Sequence, residues 1–249
     1  GYLEIDADRF KGHLLTQALS DGSLEGWVKP IAVKELETQG ERFAPLEFSA
    51  LVHEESSLLA QELRDLAIEA KRDLIVDTVL GGDTPAKALA MGEQFAQAGY
   101  DVRVIDVEVP YEVSRARIEA RWVEGRAEFF AGRDALGGRW VPSEYARSVY
   151  FGEDGVSKPE RNAEVLANEC GAVSRFERWR TTQEAENLAI KSGQRAIPVL
   201  EISRARAHPS ARLVDQTATV DAGVVARLAA TRAPSLRADR SPRSGGLER

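Results

Sequence analysis

Apolar and polar positions along this chain switch repeatedly between two periods. Tyr2-Leu3-Glu4-Ile5 alternates as a half-buried strand does, and "DRFKGHLLTQAL" behind it reads as the start of a helix. A loop-rich stretch follows through Gly40. From Pro45 to Arg72, apolar residues recur at helical spacing: Leu51, Leu58, Leu59, Leu63, Leu66, Ala67 and Ile68. "DLIVDTVL" is then a short apolar run, suited to a strand covered on both faces. After a Gly-Gly-Asp turn, "TPAKALAMGEQFAQAGY" predicts a helix with Pro85 in its first turn and Gly99 at its stop. "DVRVIDVEV" predicts the next strand, and Pro110 opens a long helical pattern. A helix in "PERNAEVLANECGA" and strands in "VSRFERWRT" and "AIPVLEIS" complete the series. Strand–helix alternation at these lengths predicts an α/β fold, a parallel sheet flanked by helices, with the first three strands together in one sheet.

The bulk numbers narrow the class. The 249 residues suffice for a sizeable core, and 43% hydrophobic with 29% charged residues is ordinary for a globular protein. No stretch approaches the ~18 apolar residues of a membrane span, so no membrane role is expected. A single cysteine, Cys170, excludes an internal disulfide framework and suits a reducing cytoplasm; it reads as packing. Three widely separated histidines argue against a His-rich metal site. Of the net charge of −7, the segment from Arg232 onward contributes +3, which leaves an acidic body and argues against nucleic-acid binding. That Pro-, Ser- and Gly-rich end reads as a poorly structured tail over 205–249.

Three carboxylates fall at or just past strand ends: Asp6, Asp8 and Asp77. Ligands in parallel α/β sheets sit at such ends, although Asp6-Ala7-Asp8 also reads as a turn that caps the next helix. Arg121 in "IEARW" and Arg139 in "GGRWVP" follow on later elements. Each arginine alone reads as a surface ion pair. Together, carboxylates and guanidinium groups are what phosphoryl transfer needs, a proton acceptor for the attacking hydroxyl and positive charge on the transferred group. The phosphate loop G-x-x-x-x-G-K-[ST] of such kinases is absent, since no Gly-Lys dipeptide occurs in the chain.

"IDADRFKGH", "VHEESSLLAQELRDLAIEAKRDLIVDTVL", "VPYEVSRARIEARW" and "GGRWVP" together resemble, in order and spacing, the zeta toxin family of P-loop kinases. In that family a strand, phosphate loop and helix precede an I-D-x-D-x-F-K element, the element on which this sequence opens. The resemblance therefore implies a kinase domain over 1–204, N-terminally incomplete, which transfers phosphate from ATP with Mg2+ to a nucleotide-sugar such as UDP-N-acetylglucosamine. By itself such a chain is expected to be inactive. The resemblance makes Asp8 the catalytic base, Arg121 and Arg139 the groups on the nucleotide phosphates, and Asp77, Thr78 and Glu55 substrate-binding residues. Glu55 also reads as an ordinary acid at a helix start. The family's arginine at the turn after the second strand is replaced here by Leu80-Gly81-Gly82, so the acceptor stays open. A small helical antitoxin is a partner the resemblance would bring. Two alternatives stand beside it: a nonenzymatic remnant that binds a nucleotide-sugar or a protein, and a P-loop kinase with another small-molecule acceptor.

Overall fold

The computed structural model describes residues 1–151 and 156–216. Of the tail expected over 205–249, residues 217–249 lie outside the described residues.

The opening strand β1 (Leu3–Asp6) passes directly into α1 (Ala7–Asp21). Asp6 makes this sharp junction possible, because its side chain accepts the backbone N–H of Asp8 at 2.8 Å and caps the helix. Gly22, at φ 80°, ends it in the left-handed conformation that favours glycine. The stretch that reads as loop holds a π-helical turn (Leu24–Val28) and α2 (Ile31–Thr38). Residues Pro45–Val52 form a 3-10 helix that leads into α3 (His53–Glu69). β2 (Leu74–Asp77) then pairs with β1 in parallel, Leu3 opposite Leu74 and Asp6 opposite Asp77. Leu15, Ala18, Leu24, Phe48 and Val52 form the core of this first half.

The second half begins with α4 (Ala86–Gln97) and β3 (Val102–Glu108). α5 (Tyr111–Phe130) and α6 (Ser143–Tyr150) follow, then α7 (Lys158–Glu169) and β4 (Val173–Arg180). The described chain closes with α8 (Gln183–Lys191), β5 (Val199–Ala205) and β6 (Val214–Asp215). β3 and β4 are parallel, whereas β4–β5 and β5–β6 are antiparallel. Ala88, Ala163, Leu166, Ala167, Cys170, Val173 and Phe176 make a second core. Cys170 is thus a packing residue, and it lies against Gly92, where an added Cβ would also meet Leu166.

The class is as expected, helices flanking parallel strands, but the single sheet is not. Among the described residues β1–β2 form one sheet and β3–β4–β5–β6 another, and β2 does not pair with β3. The strand expected to be covered on both faces is not so covered: Ile75 is 53% exposed, as are Ile105 (55%) and Val107 (45%) on β3. The turn after β2 is held by packing chemistry. Asn162 of α7, almost fully buried, donates to the carbonyls of Leu80 and Gly82 at 2.7 and 2.8 Å.

Candidate active site

The β1–α1 junction sets the first group. Because α1 starts immediately after Asp6, Asp8 lies in its first turn and Lys11 one turn on. Lys11 donates to Asp8 Oδ1 at 2.9 Å, and its side chain is nearly buried. The other oxygen, Oδ2, is ion-paired with Arg139. Partial burial pushes the Asp8 carboxyl up, but the Lys11 hydrogen bond and the charge of Arg139 outweigh it and hold the group below the usual carboxylate range.

Arg139 is delivered by a tightly built turn. Asp134 Oδ1 accepts the backbone N–H groups of Leu136 and Gly137 at 2.7 and 2.6 Å, and the Leu136 carbonyl accepts from Leu46 N–H at 2.9 Å. The next two residues are glycines for a steric reason. A Cβ on Gly138 would lie 2.6 Å from Trp122 Cα, and one on Gly125 would collide with Gly138 itself. The turn therefore crosses α5 backbone to backbone, over the segment that holds Arg121 and Trp122. Trp140 packs edge-on against Trp122, with ring centroids 4.9 Å apart. Glu47 fixes the same face of α5, accepting from Trp122 Nε1 at 2.9 Å and from Arg126 Nη1 at 2.7 Å.

Arg121 is therefore set among like charges. Its guanidinium is pushed down first by burial, then by the charges of Arg139, Arg195 and Arg117, while Asp8 acts in the opposite direction. Arg117, one turn earlier, is neutralised by a bidentate pair with Glu186 of α8, at 2.9 and 2.6 Å. The result is a cationic face with the Asp8 carboxylate at its edge, an arrangement able to attract an anion.

Among the residues anticipated from sequence, Asp8, Arg139 and Arg121 come together here. Asp77 is the register partner of Asp6 at the carboxyl edge of the same small sheet. Thr78 follows it and is exposed, and Glu55 is exposed in the first turn of α3. The ion pairs of Asp8 run to Lys11 and Arg139 and do not involve α3. Lys11, Arg117, Glu186 and Arg195 were missed. The i, i+3 spacing of Asp8 and Lys11 was a readable signal, whereas nothing local ties Glu186 or Arg195 to α5.

A second polar centre lies at the end of β3. Asp106 and Glu108 are both buried, and Arg178 of β4 donates to Asp106 at 2.7 Å while also meeting Glu160 at 2.9 Å. Among the described residues no cation pairs with Glu108; Ser157 Oγ lies 3.1 Å from both of its oxygens. Burial first, then the charge of Asp106 and a hydrogen bond with it, push the Glu108 carboxyl up to about 8.

Comparison with known proteins adds one finding. The family model described as Zeta toxin matches residues 36–158, a span that includes Glu55, Asp77, Thr78, Arg121 and Arg139 and leaves out Asp8. No curated protein and no solved structure matches the chain.

Proposed function

Residues 36–158 belong to the zeta toxin family, and from that premise we propose that this protein is an ATP-dependent phosphotransferase acting on a hydroxyl of a nucleotide-sugar such as UDP-N-acetylglucosamine. The family is one of P-loop kinase-type phosphotransferases that use ATP and Mg2+. The observation that carries the reading is the meeting of Asp8, shared between Lys11 and Arg139, with Arg121 beside them.

The residues present suit a polyphosphate, because Arg121 stands among other guanidinium groups whose repulsion an anion would relieve. ATP, when bound, supplies the phosphoryl group. Arg121 and Arg139 hold phosphate oxygens and offset the charge that grows on them. Asp8 accepts the proton of the acceptor hydroxyl as its oxygen attacks phosphorus. Asp77, Thr78 and Glu55 hold the acceptor. Among the described residues no group of three or more His, Cys, Asp or Glu side chains converges as a metal site, so no protein ligand is assigned to Mg2+. A helical antitoxin and a cytoplasmic setting belong to the same proposal. Among the described residues no helix is long and apolar enough to cross a membrane.

Kinase assays with UDP-N-acetylglucosamine and ATP test it. The 249-residue chain, which contains no Gly-Lys dipeptide, is expected to leave ATP unconsumed. Joined to a strand, G-x-x-x-x-G-K-[ST] loop and helix ahead of Gly1, it should phosphorylate the sugar. Asp8→Asn should then lower kcat by about a hundredfold or more, the scale of a general base. Steady ATP turnover by the chain alone would overturn the need for that loop, and full activity of Asp8→Asn would overturn the assigned base.

A further inference from the structure

We propose that Asn162 of α7 is a positioning residue for the acceptor: it holds the loop 78–83, which continues from Asp77, against the β3–β4 half of the molecule. The inference rests on the phosphotransferase reading and deepens it. Asn162 lies beyond residue 158, where the zeta toxin match ends.

The loop starts at a fixed point. Asp77, the last residue of β2, is the register partner of Asp6, so the loop leaves the sheet beside the β1–α1 junction that carries Asp8. Among the described residues no pairing joins β2 to β3, and the strand ladder therefore does not place the loop over the second half. α7 does so instead. Asn162 Nδ2 donates to the carbonyls of Leu80 and Gly82 at 2.7 and 2.8 Å, and Arg161 Nη2 donates to the Asp83 carbonyl at 2.8 Å. Lys158 Nζ meets Asp83 Oδ1 at 2.6 Å. The helix is in turn fixed to the second sheet, through Ser157 to Glu108 and through Glu160 to Arg178.

Asn162 is the inner member of this clamp. It is 1% exposed, and among the described residues its Oδ1 has no hydrogen-bond partner while Nδ2 serves two carbonyls. The buried amide thus works as a donor to the loop. The turn has little side chain of its own to offer an acceptor. Leu80 packs against the second core, Gly81 and Gly82 have none, and a Cβ on Gly81 would lie 3.2 Å from Val149 of α6. What stands next to Asp77 and Thr78 is main chain, held in place from behind. A loop that binds through its main chain recognises its ligand only as well as its scaffold holds it.

Calorimetric titrations of the 249-residue chain with UDP-N-acetylglucosamine and, separately, with inorganic tripolyphosphate test this, with thermal melts as a check on folding. Asn162→Asp keeps the size of the side chain and removes both donations. It should weaken nucleotide-sugar binding about tenfold, the scale of a lost buried hydrogen bond. Tripolyphosphate, which reads Arg121 and Arg139, should bind as it does to wild type. Lys158→Ala combined with Arg161→Ala frees the far end of the same loop and should show the same selective loss, to a smaller degree. That double variant carries the test if Asn162→Asp does not melt cooperatively. Nucleotide-sugar affinity kept at the wild-type value, or lost in step with tripolyphosphate, would show that Asn162 supports the fold and not the acceptor, and the phosphotransferase reading would stand. A wild-type chain that binds tripolyphosphate but not the nucleotide-sugar would overturn the acceptor assignment and this proposal with it. Binding of neither would overturn the phosphotransferase reading as well.

Discussion

Asp8 is asked to be a base, yet its surroundings favour its charged, proton-free form. Lys11 and Arg139 overcome the effect of burial and keep its carboxyl below the ordinary range. A carboxylate so stabilised is a weak proton acceptor. In the proposed reaction it would gain basicity as Arg139 turns from it to a phosphate, which would couple arrival of the nucleotide to readiness of the base. Arg139→Ala should therefore raise the Asp8 pKa, read by carbon-detected NMR titration of the carboxyl; an unchanged value would show that Arg139 does not restrain it. The sign for stability follows. A depressed carboxyl stabilises the fold above its ordinary pKa of 3.8, and this is lost as pH falls through the folded value, so the variant should lose less on acidification than wild type. At this scale Asp8, Arg121 and Arg139 were legible because each follows a local signal: a strand end, a helical repeat, an R-x-x-P. Lys11 was within reach of the same reading. Glu186 was not, because it meets Arg117 from sixty-nine residues away, and so distant a pairing leaves no trace in local pattern.

At the scale of elements, β3 shows how a correct strand can hide its chemistry. "VRVIDVE" is a strand, but its inward face changes character along its length: Val102 and Val104 pack into the second core, and Asp106 and Glu108 continue the same face. The apolar Ile105 and Val107 point the other way and are exposed. Hydrophobicity alone would have reversed that end of the strand. Two buried carboxylates are tolerated because Arg178 answers Asp106 across the ladder while Glu108 keeps a proton. A carboxyl raised from 4.5 to about 8 on folding binds an extra proton in the folded state. Its stabilising contribution is full below pH 4.5 and is lost as pH rises toward 8. Glu108→Gln, which resembles the protonated form, should melt less pH-dependently than wild type between pH 5 and 9, a window drawn around those two values. Identical profiles would mean that Glu108 ionises normally. The short helices α2, α6 and α8 went unread for another reason: eight or nine residues hold too few turns for a periodicity to emerge.

For the whole molecule, sequence conveyed the alternation of strands and helices but not how the strands distribute. The second core is built on the β3–β4 sheet, the first on α1 and the 3-10 helix with no residue of β1 or β2, and the two sheets stay apart. Pairing between β2 and β3 would have joined them, and period and composition carry no information on which strand edges meet. The proposed phosphate face draws on both halves, Asp8 and Lys11 from the first and Arg121 and Arg139 from the second.

The edges of β2 and β3 that face away from their partners carry a consequence for how this protein behaves as a solute. Ile75, Ile105 and Val107 are apolar, β-branched and exposed on strands that, among the described residues, pair on one side only, the combination that recruits another chain edge to edge. The 249-residue chain should therefore self-associate as its concentration rises, visible in sedimentation velocity as a shift to larger species. Ile105→Lys should hold it monomeric to higher concentration without lowering its melting temperature, because a lysine there takes water in place of a neighbour's strand. A chain that sediments as monomer at every concentration would show these edges to be shielded.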